Sequence, residues 1–262
     1  MTNSLLNVAM LSLDIFQNDP HHNLSEVERL LADIPDTTDL VVLPELFSTG
    51  FCNSRDTMQE MAETVSGQTM RRVKQWAEAK NCAFAGSFLC RVGDKFYNRA
   101  FFIEPGGDET YYDKRHLFSL SHENELYSPG NEPFRPVRYR GWNIAMIVCY
   151  DLRFPAWCRH NAGDFDLLFV PANWGRRREY AWTHLLIARA IENQCFTVGV
   201  NRSGTDDYGE YDHTSRAYGP KGEPNEAPEH GCLTLVTLDK SRVNEIRSHF
   251  PVLADADKFN IL

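Results

Sequence analysis

Short apolar runs rich in β-branched residues alternate along this chain with longer stretches whose apolar positions recur every three or four residues. The first pattern suits strands with one or both faces buried, and the second suits helices with one buried stripe. Read this way, the sequence predicts strands over 7–13, 40–43, 83–89, 98–103, 143–148, 167–170 and 196–200, with a later set near 214–218 and 233–238. It predicts helices over 23–32, 69–79, 154–160 and 179–193. Such alternation is the signature of an α/β chain, in which helices cover the faces of a sheet. Residues 84–114 differ, because turn-like breaks at 92–95 and 106–108 leave apolar runs too closely spaced to hold helices; an antiparallel meander is expected there. No internal repeat, low-complexity tract or linker-like stretch marks a domain boundary, so a single domain is expected.

Composition narrows the class of partner. With 262 residues, 42% hydrophobic and 24% charged, the chain has ordinary globular composition, which excludes disorder as its main state. A formal charge of −9 repels nucleic-acid phosphate and anionic membrane alike, so a small molecule is the expected partner. The cysteines at 52, 82, 90, 149, 158, 195 and 232 form no CxxC pair and no Cys/His zinc spacing, so no metal is expected. Their odd number suits a reducing compartment. The first residues lack a basic region and a small-residue cleavage site, and no uncharged apolar run is long enough to span a bilayer; the expectation is a soluble cytoplasmic protein.

Four apolar runs each end on a polar residue: LVVLPE at Glu45, AMIVC at Cys149, LLFVPAN at Asn173 and FTVGVN at Asn201. In open α/β sheets ligands bind beyond the carboxyl ends of strands, so these groups are candidates for one site. Cys149 stands out because a tight turn into the following helix would expose its sulfur and aim the Tyr150 N–H at a reacting group. A nucleophilic cysteine needs a base and a cation or dipole. No histidine stands in a local Cys–His protease signature, which leaves Glu45 as base and Lys114, at the end of TYYDK, as cation.

Together LVVLPELF, YYDKRHLF and IVCYDLRFP resemble, in order and separation, the three signatures of the nitrilase superfamily of carbon–nitrogen hydrolases. The resemblance runs from about residue 5 to 262 and takes in ANW, RAIENQ and VNRSG. Within the superfamily it is nearest to bacterial omega-amidases, which hydrolyse ω-amides such as 2-oxoglutaramate; the Cys-Tyr-Asp sequence favours amides over nitriles. It implies a four-layer α-β-β-α sandwich, a Glu45–Lys114–Cys149 triad and no cofactor. A second glutamate is implied ahead of the SPG turn, either Glu123 or Glu125, with the register from Gly130 favouring Glu123. The triad's implied chemistry is thiolate attack by Cys149, an oxyanion held by Lys114 and the Tyr150 N–H, and proton transfer by Glu45.

An ω-amide of a dicarboxylic acid carries a far carboxylate, which calls for arginine. The candidates are Arg153 and the run Arg176, Arg177 and Arg178, of which one member is expected to bind, with aromatic help from Phe118, Trp174 or Tyr150. The resemblance also implies a homodimer, with a hydrolase domain over 5–240 and a C-terminal helix and arm over 241–262 at the dimer interface. Another amide or N-carbamoyl hydrolase, or an inert binding protein on the same fold, are the alternatives.

Overall fold

Alternation in the first strands sends neighbouring side chains into two different cores. In Leu5–Leu11 (β1), Leu6, Val8 and Met10 enter one core while Ala9 and Leu11 enter another. The same division separates Leu40 and Val42 from Val41 in Leu40–Val42 (β2), and Ala83 and Ala85 from Phe84 in Ala83–Val92 (β3). A sheet that is apolar on both faces must be covered twice. The computed structural model describes residues 4–159, 164–225, 229–259 and 261.

The meander continues through Lys95–Ile103 (β4) and Glu109–Asp113 (β5), antiparallel in the register Phe84 to Ile103 and Ala100 to Tyr112. The remaining strands are Val137–Tyr139 (β6), Trp142–Met146 (β7), Leu167–Ala172 (β8), Phe196–Asn201 (β9), Gly204–Asp206 (β10), Gly209–Tyr211 (β11), Arg216–Tyr218 (β12), Glu229–His230 (β13) and Leu233–Asp239 (β14). Among the described residues they form a seven-stranded sheet ordered β13-β14-β1-β2-β3-β4-β5, a five-stranded sheet ordered β12-β9-β8-β7-β6, and the separate β10-β11 ribbon.

One core lies between the two large sheets, joining Val8, Val42 and Phe102 to Ile144, Phe169 and Val198. Outside the first sheet, Leu24, Val27 and Leu30 of Pro20–Leu30 (α1) and Val73, Trp76 and Ala77 of Gln68–Lys80 (α3) cover Val41, Phe84 and Phe101. Outside the second, Trp182, Leu186 and Ala190 of Glu179–Asn193 (α6) pack against β9, where Thr197 Oγ1 donates to the Leu186 carbonyl at 3.1 Å. The result is the expected α-β-β-α sandwich of an α/β chain.

Differences from expectation are local. The helix expected over 154–160 is the single turn Pro155–Cys158 (α5), begun by Pro155; its expected end at 160 lies outside the described residues. Arg55–Met61 (α2), started by the Ser54 cap, and Glu123–Leu126 (α4) were not anticipated. At the C-terminal end, Asp239 caps Lys240–His249 (α7), a short turn follows at Val252–Asp255, and Ile261 packs against the inter-sheet core. Among the described residues no helix is long and apolar enough to cross a membrane.

Candidate active site

The carboxyl end of β2 runs straight into Leu43, Pro44 and Glu45, and the end of β5 into Lys114, so two strands of one sheet, with β3 and β4 between them, deliver the carboxylate and the ammonium to one place. Lys114 Nζ donates to Glu45 Oε1 at 2.8 Å and to both oxygens of Glu123 at 2.9 Å, with all three residues buried. Glu123 opens α4, where the Phe118 N–H also donates to its Oε2 at 2.6 Å. Glu45 is fixed further by Asn98 Nδ2 at 2.7 Å and by the Asn173 N–H at 2.8 Å. Asn98 is itself held by Ser87, whose hydroxyl donates to Asn98 Oδ1 at 2.8 Å. Buried charges are tolerated only when paired and hydrogen-bonded in this way. Burial works against the Lys114 ammonium, but Glu123 and Glu45 outweigh it and hold its pKa well above that of ordinary lysine. Burial and the charge of Glu45 push the Glu123 carboxyl up, against the pull of Lys114.

Cys149 is 9% exposed and begins the tight turn Cys149–Arg153 with a φ of +43°, a left-handed conformation that non-glycine residues rarely adopt. Burial first, and then the neighbouring Glu45 carboxylate, push its thiol well above the ordinary cysteine range, with Lys114 opposing. Both influences favour the neutral thiol over the thiolate, with the Glu45 carboxylate beside it.

What holds the strained turn is Asp151, which is 0% exposed. Its Oδ2 accepts from the Val148 N–H at 3.1 Å and the Tyr112 hydroxyl at 2.8 Å. Its Oδ1 accepts from the His116 N–H at 2.8 Å and sits 2.8 Å from His116 Nδ1. Tyr112 and His116 flank Lys114, so one carboxylate ties the segment carrying the ammonium to the turn carrying the thiol. From the other side, Arg189 of α6 donates Nε and a terminal nitrogen to the Leu152 carbonyl at 3.1 and 2.8 Å.

Cys149, Glu45, Lys114 and Glu123 open into a cleft whose walls include Phe51, Phe118, Tyr150, Arg153, Asn173, Trp174, Arg178, Tyr208 and Tyr211. The Arg153 guanidinium lies 4.8 Å over the Trp174 ring, and that of Arg178 lies 5.1 Å over the Phe118 ring. Among the described residues neither has a carboxylate partner.

Several expected site residues lie elsewhere. Arg176 and Arg177 are outside this cleft, Arg176 bonding Glu210 and Asp212 at 3.0 and 3.1 Å. The three arginines form a 3₁₀ turn, in which consecutive side chains diverge by about 120°, so only one of them faces the thiol. Glu125 is exposed and pairs with His122 at 2.9 Å, away from Lys114. Asn201 does not line the cleft; it braces Trp174, accepting from its N–H at 2.7 Å and donating to its carbonyl at 2.9 Å. Sequence reasoning missed Asn98, Asp151, Phe51, Tyr208 and Tyr211; Asn98 shares its strand with Lys95 and Arg99, so its polarity there gave no distinct signal. Among the described residues, no group of three or more His, Cys, Asp or Glu side chains is placed to hold a metal ion.

The family model for carbon-nitrogen hydrolases matches residues 7–248. The chain belongs to the carbon–nitrogen hydrolase family. Among the relatives of this hydrolase, omega-amidase YafV of Escherichia coli strain K12 is 37% identical over 263 residues, covering 98% of each chain. A 2-oxoglutaramate amidase of Bacillus subtilis is 30% identical, covering 96% of this chain and 97% of that protein. The crystal structure of XC1258 from Xanthomonas campestris, a CN-hydrolase superfamily protein with an arsenic adduct in its active site, superposes with a TM-score of 0.92 at 35% identity, over 98% of this chain and 99% of that one. The hydrolase and its fold are thus those that the three short sequence matches implied.

Proposed function

We propose that this carbon–nitrogen hydrolase is an omega-amidase that converts the ω-monoamides of 2-oxo dicarboxylic acids, such as 2-oxoglutaramate and 2-oxosuccinamate, to the dicarboxylate and ammonia. The observation that carries the reading is the pair Arg153 and Arg178: two guanidiniums that, among the described residues, have no carboxylate partner share one cleft with a thiol in a chain of net charge −9. Each lies flat over an aromatic ring, which leaves its donor edge available to a carboxylate. The names of the two relatives above point the same way.

Glu45 receives the Cys149 proton as the sulfur attacks the amide carbon, so the thiol's raised pKa is overcome only when the electrophile is in place. The developing oxyanion lies between the Lys114 ammonium and the N–H of Tyr150, the second residue of the turn, where an N–H has no acceptor within the helix. Glu45 then passes the proton to the amide nitrogen, the C–N bond breaks and ammonia leaves a thioester. Water deprotonated by Glu45 attacks that thioester, the C–S bond breaks, and the thiolate takes the proton back. Glu123, bonded twice to Lys114, holds the ammonium on the oxyanion position. The same reading takes the chain as a cytoplasmic homodimer with residues 241–262 at its interface, and the exposed rings of Phe250 and Phe259 support an apolar contact there.

The test is ammonia release from 2-oxoglutaramate, 2-oxosuccinamate, glutamine, simple uncharged amides and nitriles, with Cys149→Ala as the blank. The 2-oxo ω-amides should dominate. Preferred turnover of uncharged amides or of nitriles refutes the assignment.

A further inference from the structure

The cleft around Cys149 has a neighbour. A second space of about 930 Å³ is bounded by Gly175, the Arg176–Arg178 turn, Asp206, Asp207, Tyr208, Gly209 and Glu210, and Arg178 and Tyr208 line both spaces. Tyr208 sits at the tip of the β10-β11 ribbon, with its N–H bonded to Asp206 Oδ1 at 2.8 Å. The base of that ribbon is rigidly held: Arg202, 0% exposed, donates to Asp206 Oδ2 at 2.8 Å and lies 4.5 Å from the centre of the Tyr211 ring. The tip is held less. The Tyr208 ring is 45% exposed and packs edge-on against Phe51, 5.2 Å between centres at 88°. Phe51 in turn stacks on Tyr127 at 5.4 Å.

Resting on the amidase reading above, we infer that Tyr208 is a specificity-determining residue whose ring, with Arg178, partitions the catalytic cleft from the second space and so limits the length of the acyl chain. A short chain places its far carboxylate on Arg153 and Arg178 while its amide reaches Cys149. A longer chain has to pass the Tyr208 ring. Beyond that ring it meets mainly charged groups, among which Arg176 is already neutralised by Glu210 and Asp212. Removing the ring joins the two spaces, whereas shortening the substrate leaves them separate.

The experiment compares kcat/KM for succinamate, glutaramate, adipamate and pimelamate in the wild type, Tyr208→Ala and Tyr208→Phe. One or two methylenes accommodated or refused are worth about tenfold or more, so Tyr208→Ala should raise the ratio of pimelamate to succinamate by about tenfold. Tyr208→Phe, which keeps the ring, should leave that ratio within about twofold. An unchanged ratio in Tyr208→Ala overturns the inference, and so does a uniform loss at every length, which is what a merely structural role gives. A matching rise in Tyr208→Phe also overturns it, because the hydroxyl and not the ring would then be the barrier. A wild type inactive on every chain length and on 2-oxoglutaramate refutes the amidase reading itself, whereas one that turns over 2-oxoglutaramate and none of the series overturns the length inference alone.

Discussion

Replacing Asp151 with Asn should damage turnover far more than substrate binding. The carboxylate lines no part of the cleft, yet its two oxygens receive the Val148 N–H, the Tyr112 hydroxyl and the His116 N–H, and Oδ1 faces His116 Nδ1. An asparagine of the same shape keeps one acceptor and turns the other into a donor. Placed on the Val148 side, its NH₂ meets an N–H and a hydroxyl that already accepts from Trp157 Nε1 at 2.8 Å. Placed on the His116 side, it gains the ring nitrogen by a change of tautomer and strands only the His116 N–H. The second arrangement costs less, about 1–3 kcal/mol for one unsatisfied donor. At roughly 2–4 °C per kcal/mol for a domain of this size, the melting temperature should fall by about 2–12 °C. Asp151→Ala strands the Val148 N–H, the Tyr112 hydroxyl and the His116 N–H together, roughly 3–9 kcal/mol, which reaches the whole stability of a domain at its lower end.

The kinetic effect comes through the tie that is lost: with the His116 N–H unpaired, the segment that carries Lys114 is no longer anchored to the turn that carries Cys149, whose Val148 bond is kept. A displacement near 1 Å at a reacting atom costs about 10²-fold, so kcat for 2-oxoglutaramate in Asp151→Asn should fall about 10–100-fold with KM within about threefold. Ammonia release coupled to a dehydrogenase gives both constants, and a thermal melt of the same preparation gives the stability change. If kcat stays within about twofold of wild type while the melting temperature drops, Asp151 supports the fold without aligning the ammonium and the sulfur, and the argument fails.

Three further outcomes follow from the same geometry. Because the Glu45 carboxylate, after burial, is what raises the Cys149 pKa, Glu45→Gln lowers that pKa and raises the thiolate fraction at any pH below it; iodoacetamide labelling at a fixed mildly alkaline pH should quicken while amide turnover falls about 10²-fold or more, and parallel losses would contradict this. Arg178→Ala removes a charge-assisted contact worth about 1.5–3 kcal/mol, so KM for 2-oxoglutaramate should rise about 10–150-fold with kcat little changed, whereas Arg176→Ala, already paired outside the cleft, should leave KM within about twofold. Glu123→Gln should lower kcat by at least about tenfold through Lys114, while Glu125→Gln, exposed beside His122, should change stability by less than about 0.5 kcal/mol and turnover not at all; equal effects in a side-by-side assay would undo the distinction.

The parts of this molecule that were legible in the sequence are those whose signal is local. Helix α6 is read correctly end to end because Trp182, Leu186 and Ala190 repeat at helical spacing and the chain leaves the helix at Gln194 with a φ of +45°. Glu45 and Cys149 show up because a charge or a thiol closing an apolar strand is unusual, whereas Lys114 was picked out only as the cation a cysteine nucleophile needs, and the family resemblance then joined it to them. Asp151 could not be found this way, since its partners lie 35 and 39 residues back along the chain as well as three. The β10-β11 ribbon was equally hidden, because GTDDYGEY alternates no apolar face and is held instead by Arg202 from the neighbouring strand end. The choice among Arg176, Arg177 and Arg178 is a question of which way a 3₁₀ turn faces, and three identical residues in a row carry no information on that.

On the reading proposed above, the distribution of charge in the cleft favours an anion over an amino acid. Two carboxyl groups, Glu45 and Glu123, already share one ammonium on Lys114, and Asn98 takes a further lone pair of Glu45, so neither is available to a second cation. What is left facing the substrate is the pair of arginines. A 2-oxo acid amide brings a carboxylate and no positive charge, and so satisfies them. Glutamine brings the same carboxylate with an ammonium on the adjacent carbon, and that ammonium sits within a few ångströms of two guanidiniums with no unpaired carboxylate in the cleft to receive it. Like charges desolvated at such range oppose binding by an amount that the extra carboxylate contact does not recover. On that reading, weaker turnover of glutamine than of 2-oxoglutaramate is expected without a steric block, because both acidic side chains of the site are committed to Lys114.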